Sequence, residues 1–330
     1  RRWASSRRKK DPELESTLLD IVAPHTAGDP MSRRKWLNCR LADIRERLDD
    51  QGHGVSLPVI SRLLKQNDYT LKANVKETEG SSHPDRDQQF EHIYEQRIAH
   101  QANGQPVISV DTKKKELVGD FKNPGRIWCQ EPERVNVHDF PSDALGRAVP
   151  YGIYDMQYNC GTVYVGQSAD TPAFAVDNVG HWCHSELGDR FPGATQLLIE
   201  ADCGGSNSYR SRAWKRDLQE KVADAFGLIV TVCHYPTGAS KWNPIEHRLF
   251  SEISKTWAGC PLRSFDELLG YIDDTKTETG LTVQAHLVTE TYETGVKVPD
   301  EEMDALCIQS HDVCPQWNYT IYPRSNPLPT

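Results

Sequence analysis

The spacing of apolar residues divides the chain into an N-terminal part with helical periodicity and a longer part in which strands alternate with helices. Three segments repeat their apolar positions with the 3.6-residue period of an amphipathic helix: residues 13–23, 33–50 and 57–68. The turn QGHGV at 51–55 precedes the third segment, and Ser56 and Pro58 are typical of a helix start. We therefore expect a small all-α module within residues 1–76.

The second and third of these helices, with the turn between them, have the outline of a helix-turn-helix motif. In that motif the second helix enters the major groove of DNA and its exposed side chains make the contacts. The candidate DNA-binding residues here are Ser61, Arg62, Lys65 and Gln66. An ordinary helical hairpin produces the same pattern, so both interpretations stay open.

The pattern changes after residue 76. A polar linker with a connecting helix is expected at 77–105, where Phe90, Ile93, Tyr94 and Ile98 would share the apolar face of a helix at 89–100. Apolar runs typical of strands follow at 106–111, 115–118, 161–168, 194–202 and 228–235, with turn-rich strand fragments at 135–155. Helical patterns occur at 171–187, at 208–226 and from 244 onward.

This alternation of apolar strands and helices predicts an α/β fold, with a mixed sheet flanked by helices. We place that domain at residues 106–290. The Pro-rich C-terminal tail, residues 291–330, is expected to be extended.

The charges are distributed unevenly along the chain. The net charge is −9, yet residues 1–76 carry 16 Lys/Arg against 10 Asp/Glu, while the remainder carries 22 against 37. A basic module joined to an acidic body is typical of a polyanion-binding region attached to a domain with another role. The opening RRWASSRRKK is equally typical of a solvated tail.

The composition further limits the class of protein to which the chain can belong. No run of eighteen apolar residues exists, so we expect no membrane span. Nine dispersed cysteines without a CxxC pair predict reduced thiols in a cytoplasm, and HWCH at 181–184 lacks the paired spacing of a zinc site. The chain does not begin with Met, and we expect a further segment upstream.

Two predicted strands end in an aspartate, and a glutamate follows a third. Asp111 ends PVISVD, Asp202 ends QLLIEAD, and Glu246 lies in KWNPIE after the strand at 228–235. Ligand sites of α/β sheets collect at strand ends, so we expect these carboxylates at one edge of the sheet. Carboxylate oxygens suit Mg²⁺, and three of them would hold two ions for an in-line phosphoryl displacement.

The stretch KWNPIE also has a purely structural interpretation. Asn243 fits the N-cap, Pro244 the first helical position and Glu246 the third, where a glutamate bonds back to the cap amide. The apolar stripe Ile245, Leu249, Ile253 and Trp257 would then face the sheet. From this stretch alone, helix capping is favoured over metal binding.

Four longer motifs carry a resemblance to a known family: SVDTKKKELVGDFKNPGR, VNVHDFPSDALGRAVPYGIYD, ADCGGSN and VCHYPTGASKWNPIEHRLFSEISK. Together they resemble the insertion-sequence transposases of the Azo-thirteen family, the "Rhodopirellula transposase" group, which is similar to the mariner-like superfamily. The likeness runs from about residue 28 to residue 321. It implies an RNase H-like catalytic domain with a DDE triad, here Asp111, Asp202 and Glu246.

The resemblance also implies an activity: cleavage at terminal inverted repeats and strand transfer into target DNA, with two Mg²⁺ ions for which Mn²⁺ may substitute. The implied partners are double-stranded DNA and at least a second copy of the chain, in a bacterial cytoplasm at the nucleoid. Lys113, Lys114 and Lys241 become candidate DNA contacts, and Asn207, Asn243 and Pro244 candidate supporting residues. Each has a plainer interpretation as a solvated lysine, a turn or a helix start.

Two rival functions remain. A catalytically silent or domesticated remnant would bind repeat ends without cutting them, and the acidic body favours it while the intact triad opposes it. A nuclease that only hydrolyses DNA would have no use for a sequence-reading module.

Overall fold

The computed structural model describes residues 11–23, 26–28, 35–37, 40–67, 69, 83–127, 129 and 131–325, with the backbone alone for 26–28 and 35–37. The chain divides into two units, residues 1–78 and 79–330. Within the described ranges, no helix has the length and apolar character needed to cross a membrane.

The described residues of the first unit form three helices and a short antiparallel hairpin. The helices are α1 (Leu14–Val22), α2 (Leu41–Asp50) and α3 (Leu57–Gln66), and the hairpin strands are β1 (Thr26–Gly28) and β2 (Lys35–Leu37). Leu18, Ile44, Leu48 and Ile60 are buried between the helices. The helix predicted for 33–50 is wrong in its first part, because residues 35–37 pair with β1 and helical structure begins at Leu41.

In the described part of the second unit, nine strands form one mixed sheet with helices packed against it, which confirms the predicted α/β class. The strands are β3 (Val107–Thr112), β4 (Glu116–Val118), β5 (Gly146–Asp155), β6 (Cys160–Gly166), β7 (Gln196–Ala201), β8 (Ile229–His234), β9 (Thr282–Val288), β10 (Ile308–Ser310) and β11 (Asn318–Ile321). The helices are α4 (Arg86–Ala102), α5 (Pro172–Arg190), α6 (Arg212–Leu218), α7 (Ser251–Thr256), α8 (Phe265–Asp273) and α9 (Asp300–Asp304). A π-helical turn follows α6 at Gln219–Asp224, and another precedes α7 at Glu246–Phe250.

The strand order is β10-β11-β8-β7-β3-β5-β6-β9, with β4 paired to β5. Strands β3, β5 and β6 form an antiparallel meander, while β7 lies parallel to β3 and β8 parallel to β7. These five central strands have the RNase H-like order. Because β3, β7 and β8 run in one direction, the residues that follow them emerge at the same edge of the sheet.

The C-terminal region belongs to this sheet. Strand β11 pairs antiparallel with β8, and β10 pairs with β11. All four residues of β11 are buried, as expected for a strand covered on both faces. The C-terminal region is thus extended at β10 and β11, as strands of the sheet and not as a separate tail.

Helix α4 packs differently from the amphipathic prediction. Ile93 is buried and Phe90 is partly buried, but Tyr94 and Ile98 are 60% and 46% exposed. Polar contacts with the sheet add to the packing of Ile93 and Phe90. Gln89 Nε2 donates to the carbonyl of His234 at 2.8 Å, and the Arg97 guanidinium donates to both carboxylate oxygens of the fully buried Glu200 at 2.7 and 2.6 Å.

The helical segment that carries Glu246 rests on two glycines of the sheet. Ile245, Leu249, Ile253 and Trp257 are all buried, which confirms the predicted stripe. A Cβ atom at Gly152 of β5 would lie 2.9 Å from Ile245 Cδ1, and one at Gly161 of β6 would lie 3.0 Å from Leu249 Cδ2. A larger residue at either glycine would therefore force the side chains of this segment to shift.

We predict that Gly152→Ala lowers the free energy of unfolding by about 1–3 kcal/mol, because the added methyl group overpacks this contact. Chemical denaturation measures the change. Gly188→Ala on α5 is the matched control, since no atom lies within 4 Å of its added Cβ. The control should be neutral or stabilising by up to about 1 kcal/mol. Equal stability of the two variants would contradict the close packing described here.

A histidine pair joins α4 to the C-terminal region. His92 Nε2 and His311 Nδ1 lie 2.9 Å apart, and His311 Nε2 lies 2.8 Å from Thr320 Oγ1. Burial, and next the neighbouring His92, lower the pKa of His311 from its ordinary 6.5 to about 4. Burial also lowers the pKa of His92.

As the pH falls below 6.5, these histidines bind protons in the unfolded chain while they are still neutral in the folded protein. Their contribution to stability is therefore complete above pH 6.5 and is lost as the pH falls toward about 4. We predict that His311→Gln makes the melting temperature less sensitive to pH in this interval. Thermal melts between pH 4 and 7 check this, with His184→Gln at an exposed site of α5 as the control. An identical pH slope in wild type and His311→Gln would exclude the pair as its source.

Candidate active site

The register of the sheet places Asp111 beside Asp202. Val110 of β3 pairs with Ala201 of β7 in parallel, so the next residue of each strand emerges at the same level of the sheet edge. Glu246 begins the π-helical turn that follows β8 and the loop after it. π-helical turns occur frequently at functional sites.

The three carboxyl groups act on one another. Burial, and next the charge of Asp202, raise the pKa of Asp111 to about 8, and Glu246 contributes through its charge and a hydrogen bond. Burial also raises the pKa of Asp202, and the charges of Glu246 and Asp170 add to it. The three acids predicted from separate strand ends thus form one electrostatic group.

A divalent cation would relieve this repulsion, and the oxygen donors are of the kind that Mg²⁺ and Mn²⁺ prefer. Among the residues that the structure describes, no three His, Cys, Asp or Glu side chains are already arranged as metal ligands. The donor set fits a metal chemically, and its side chains would have to reorient around the ion.

Ser109 and Asn243 join the strand of Asp111 to the helical segment of Glu246. Ser109 Oγ donates to Asn243 Oδ1 and accepts a hydrogen bond from the Ile245 amide at 3.1 Å. Asn243 is fully buried, and its Nδ2 donates to the Val110 carbonyl at 3.3 Å. The prediction of an N-cap side chain at Asn243 is therefore wrong, since Ser109 from the strand accepts a helix amide and Asn243 bonds the strand.

The structure also shows the positions of Pro244 and of the Asn243 backbone at this helix start. Pro244 lies in the first helical turn, as predicted. The Glu246 amide donates to the Asn243 carbonyl at 3.1 Å, so the backbone of Asn243 does take part in the helix start. The only sequence signal for Ser109 was a single hydroxyl within the apolar run PVISVD.

A buried histidine holds the backbone of Asp202. His234, the last residue of β8, donates from Nδ1 to the Asp202 carbonyl at 2.9 Å. Burial lowers the pKa of His234 to about 4, so the ring is neutral at physiological pH. Its Nε2 lies 3.4 Å from the hydroxyl of Tyr319, which also accepts from Trp214 Nε1 at 2.9 Å. His234 is therefore a buried histidine at the end of a strand whose two ring nitrogens both have polar partners.

The loop after Asp202 is tied to β5. Asn207 is buried, and its Oδ1 accepts a hydrogen bond from the Tyr151 hydroxyl at 3.0 Å. Asp202 Oδ1 accepts from the Gly204 amide at 3.1 Å, which turns the loop immediately after the strand. Asn207 therefore joins the loop that follows Asp202 to β5, the strand next to β3.

One acid near this group was not predicted. Asp170 precedes α5 and accepts a hydrogen bond from Thr112 Oγ1, next to Asp111, at 3.1 Å. The sequence contained a weak signal for it, because Asp170 and Thr171 mark a helix start after a strand. A helix-start aspartate is so common that this signal pointed only to capping.

The predicted DNA contacts near the carboxylates differ in accessibility. Lys113 is buried, with Nζ 3.6 Å from Glu116 Oε1 and 4.6 Å from the ring centroid of Trp257, so the expectation of a phosphate contact from Lys113 is not supported. The Lys114 side chain is 76% exposed. Lys241 is exposed, with Nζ 5.7 Å from the ring centroid of Trp242.

In the first unit, α3 presents the residues predicted to contact DNA. Ile60, Leu63 and Leu64 are buried against the other helices. Arg62, Lys65 and Gln66 are exposed and Ser61 is half-buried, so these side chains occupy the opposite face of α3.

Comparison with known proteins gives one match at the level of a family. The model of the family described as "Rhodopirellula transposase DDE domain" matches residues 17–323. No curated protein matches the chain.

Solved structures of the Mos1 transposase are similar to this chain at low sequence identity. The "Mos1 transposase paired-end complex with left transposon end" is 12% identical with a TM-score of 0.41, covering 82% of this chain and 74% of that one. The "Crystal structure of the Mos1 mariner paired end complex with Mn" is 13% identical with a TM-score of 0.42, covering 83% and 73%. Since the family match extends over nearly the whole sequence, this chain belongs to the Rhodopirellula transposase DDE family, whose members act on DNA.

Proposed function

We propose that the protein is an active DDE transposase, which binds the terminal inverted repeats of its element, cleaves the DNA there and joins the released ends to target DNA. In this proposal Asp111, Asp202 and Glu246 bind two divalent ions, Mg²⁺ or Mn²⁺. The observation that carries the proposal is the mutual interaction of three carboxyl groups delivered from separate elements to one sheet edge.

When bound, two such ions would activate the attacking oxygen and stabilise the leaving oxygen of an in-line displacement. The chain's own residues supply the geometry. Ser109 and Asn243 hold the start of the Glu246 segment against β3, and His234 holds the backbone of Asp202. Rigid supports of this kind position reacting groups before substrate arrives.

DNA recognition is assigned to the first unit, with α3 as the groove helix of a helix-turn-helix. The exposed side chains of Arg62, Lys65 and Gln66 support this assignment. Near the carboxylates, the exposed Lys114 and Lys241 are the proposed phosphate contacts. The proposed partners are double-stranded DNA and a second copy of the chain that holds the other transposon end.

The alternative is a remnant that binds repeat ends without cutting them. The charge of residues 77–330 favours it, because 37 Asp/Glu against 22 Lys/Arg repel the phosphate backbone. The two proposals differ in one respect only, which is whether bound DNA is cut.

We predict that Mn²⁺ raises the melting temperature of the wild-type protein and that Asp202→Asn abolishes this rise, since the variant loses a ligand oxygen and a negative charge. Cleavage of a duplex carrying the element's inverted repeat should fall by more than about 100-fold in the same variant. Thermal melts and gel assays with Mg²⁺ or Mn²⁺ measure the two effects. Asp266→Asn on the exposed face of α8 is the control. Binding of the repeat by wild type without cutting under any divalent ion would establish the remnant.

We predict that Arg62→Ala weakens binding of the repeat duplex and reduces the salt dependence of the binding constant by about one counterion. Arg62→Lys should keep the salt dependence but lose any bidentate contact to a base, because a lysine offers one ammonium group. Fluorescence anisotropy across a salt series measures both. Unchanged affinity and salt slope in Arg62→Ala would remove α3 from the DNA interface.

A further inference from the structure

Asp170 lies at the edge of the sheet where the three carboxylates meet. It follows β6 and precedes Thr171, whose hydroxyl accepts the Phe174 amide at 3.2 Å and caps α5. This cap fixes the backbone next to Asp170. The Asp170 side chain is 11% exposed, so its carboxylate is largely withdrawn from solvent.

Hydrogen bonds connect Asp170 to both aspartate-bearing strand ends. Asp170 Oδ1 accepts from Thr112 Oγ1 at 3.1 Å, and Thr112 directly follows Asp111. Thr112 Oγ1 also lies 3.3 Å from Ser206 Oγ, in the loop that follows Asp202. Because the single hydroxyl proton of Thr112 goes to the carboxylate, Ser206 is the donor in the second bond. A chain of bonds thus runs from the Asp202 loop through β3 to Asp170.

Asp170 also contributes charge. Its carboxylate is among the groups that raise the pKa of Asp202, after burial and Glu246, and that of the buried Tyr151. Lys115 Nζ lies 3.2 Å from Asp170 Oδ2 and provides the counter-ion. If Asp170 served only in a surface ion pair, its contact with Lys115 would be sufficient. The hydrogen bond from Thr112 in addition connects Asp170 to the strand of Asp111.

We propose that Asp170 is a fourth acidic residue of the DDE site, a positioning residue that orients Thr112 and the Ser206 loop and whose negative charge strengthens the binding of divalent cations by the triad. This inference rests on the proposed role of Asp111, Asp202 and Glu246 as metal ligands. Residues that act on a metal through its ligands commonly change the affinity by 10- to 100-fold.

The test is the affinity of the full chain for Mn²⁺ without DNA, measured by isothermal titration calorimetry. Asp170→Asn should weaken Mn²⁺ binding by roughly 10- to 100-fold, and Asp170→Glu should restore part of it because the charge returns. Lys115→Gln should have the opposite sign and tighten binding, since it removes a nearby positive charge. Asp177→Asn on α5, whose partner is Lys221, is the matched control and should bind as wild type does.

The outcomes separate the two proposals. If wild type binds Mn²⁺ and folded Asp170→Asn binds it equally well, Asp170 is a structural residue and the inference is overturned while the metal site stands. If wild type and all variants fail to bind Mn²⁺, the proposed triad itself is refuted. Should Asp170→Asn fail to fold, Lys115→Gln decides, because unchanged affinity in that variant would overturn the inference.

Discussion

The second unit depends on keeping like-charged carboxyl groups together at one end of a sheet. Burial, and next their mutual repulsion, disfavour the ionised forms, which is why the pKa of Asp111 lies far above its ordinary value. The opposing constraint is the rigid backbone around them. The parallel register of β3 and β7 fixes two of the acids, and the Ser109–Asn243 contact fixes the approach of the third. If the carboxylates bind divalent cations as proposed, the ion-free protein gives up some stability for a site that attracts such ions strongly.

Distant segments converge on the supports of this site. The π-helical turn of Glu246 reaches the sheet because Gly152 and Gly161 leave room for it. On the other side, β11 from the C-terminal region brings Tyr319 to His234, and α4 bonds the His234 carbonyl through Gln89. Removing the C-terminal strands would therefore disturb the backbone of Asp202, although no residue of those strands faces substrate in the proposed mechanism.

Charge is separated between the two units according to their proposed tasks. The first unit is basic and exposes Arg62 and Lys65, which suits contact with phosphates. The second is acidic, and one of the lysines next to Asp111, Lys113, is committed to packing against Trp257. Divalent cations would offset part of this negative charge where DNA has to enter. In the proposed mechanism, metal binding and DNA entry would then be electrostatically linked, and the charges of Asp170 and Lys115 would contribute to that linkage.

The strands, the helices and the acids at their ends could be predicted from the sequence. Apolar periodicity indicates which residues a strand or helix buries, as in PVISVD and in the stripe from Ile245 to Trp257. Family motifs then singled out the triad. Tertiary structure alone decided which partners the polar side chains take: Asn243 bonds a strand instead of its helix, Lys113 turns inward, and Asp170 joins the site through Thr112. These outcomes depend on registers and contacts between residues far apart in the chain, such as Ser109 and Asn243 at a separation of 134 positions, and local patterns contain no record of such partners.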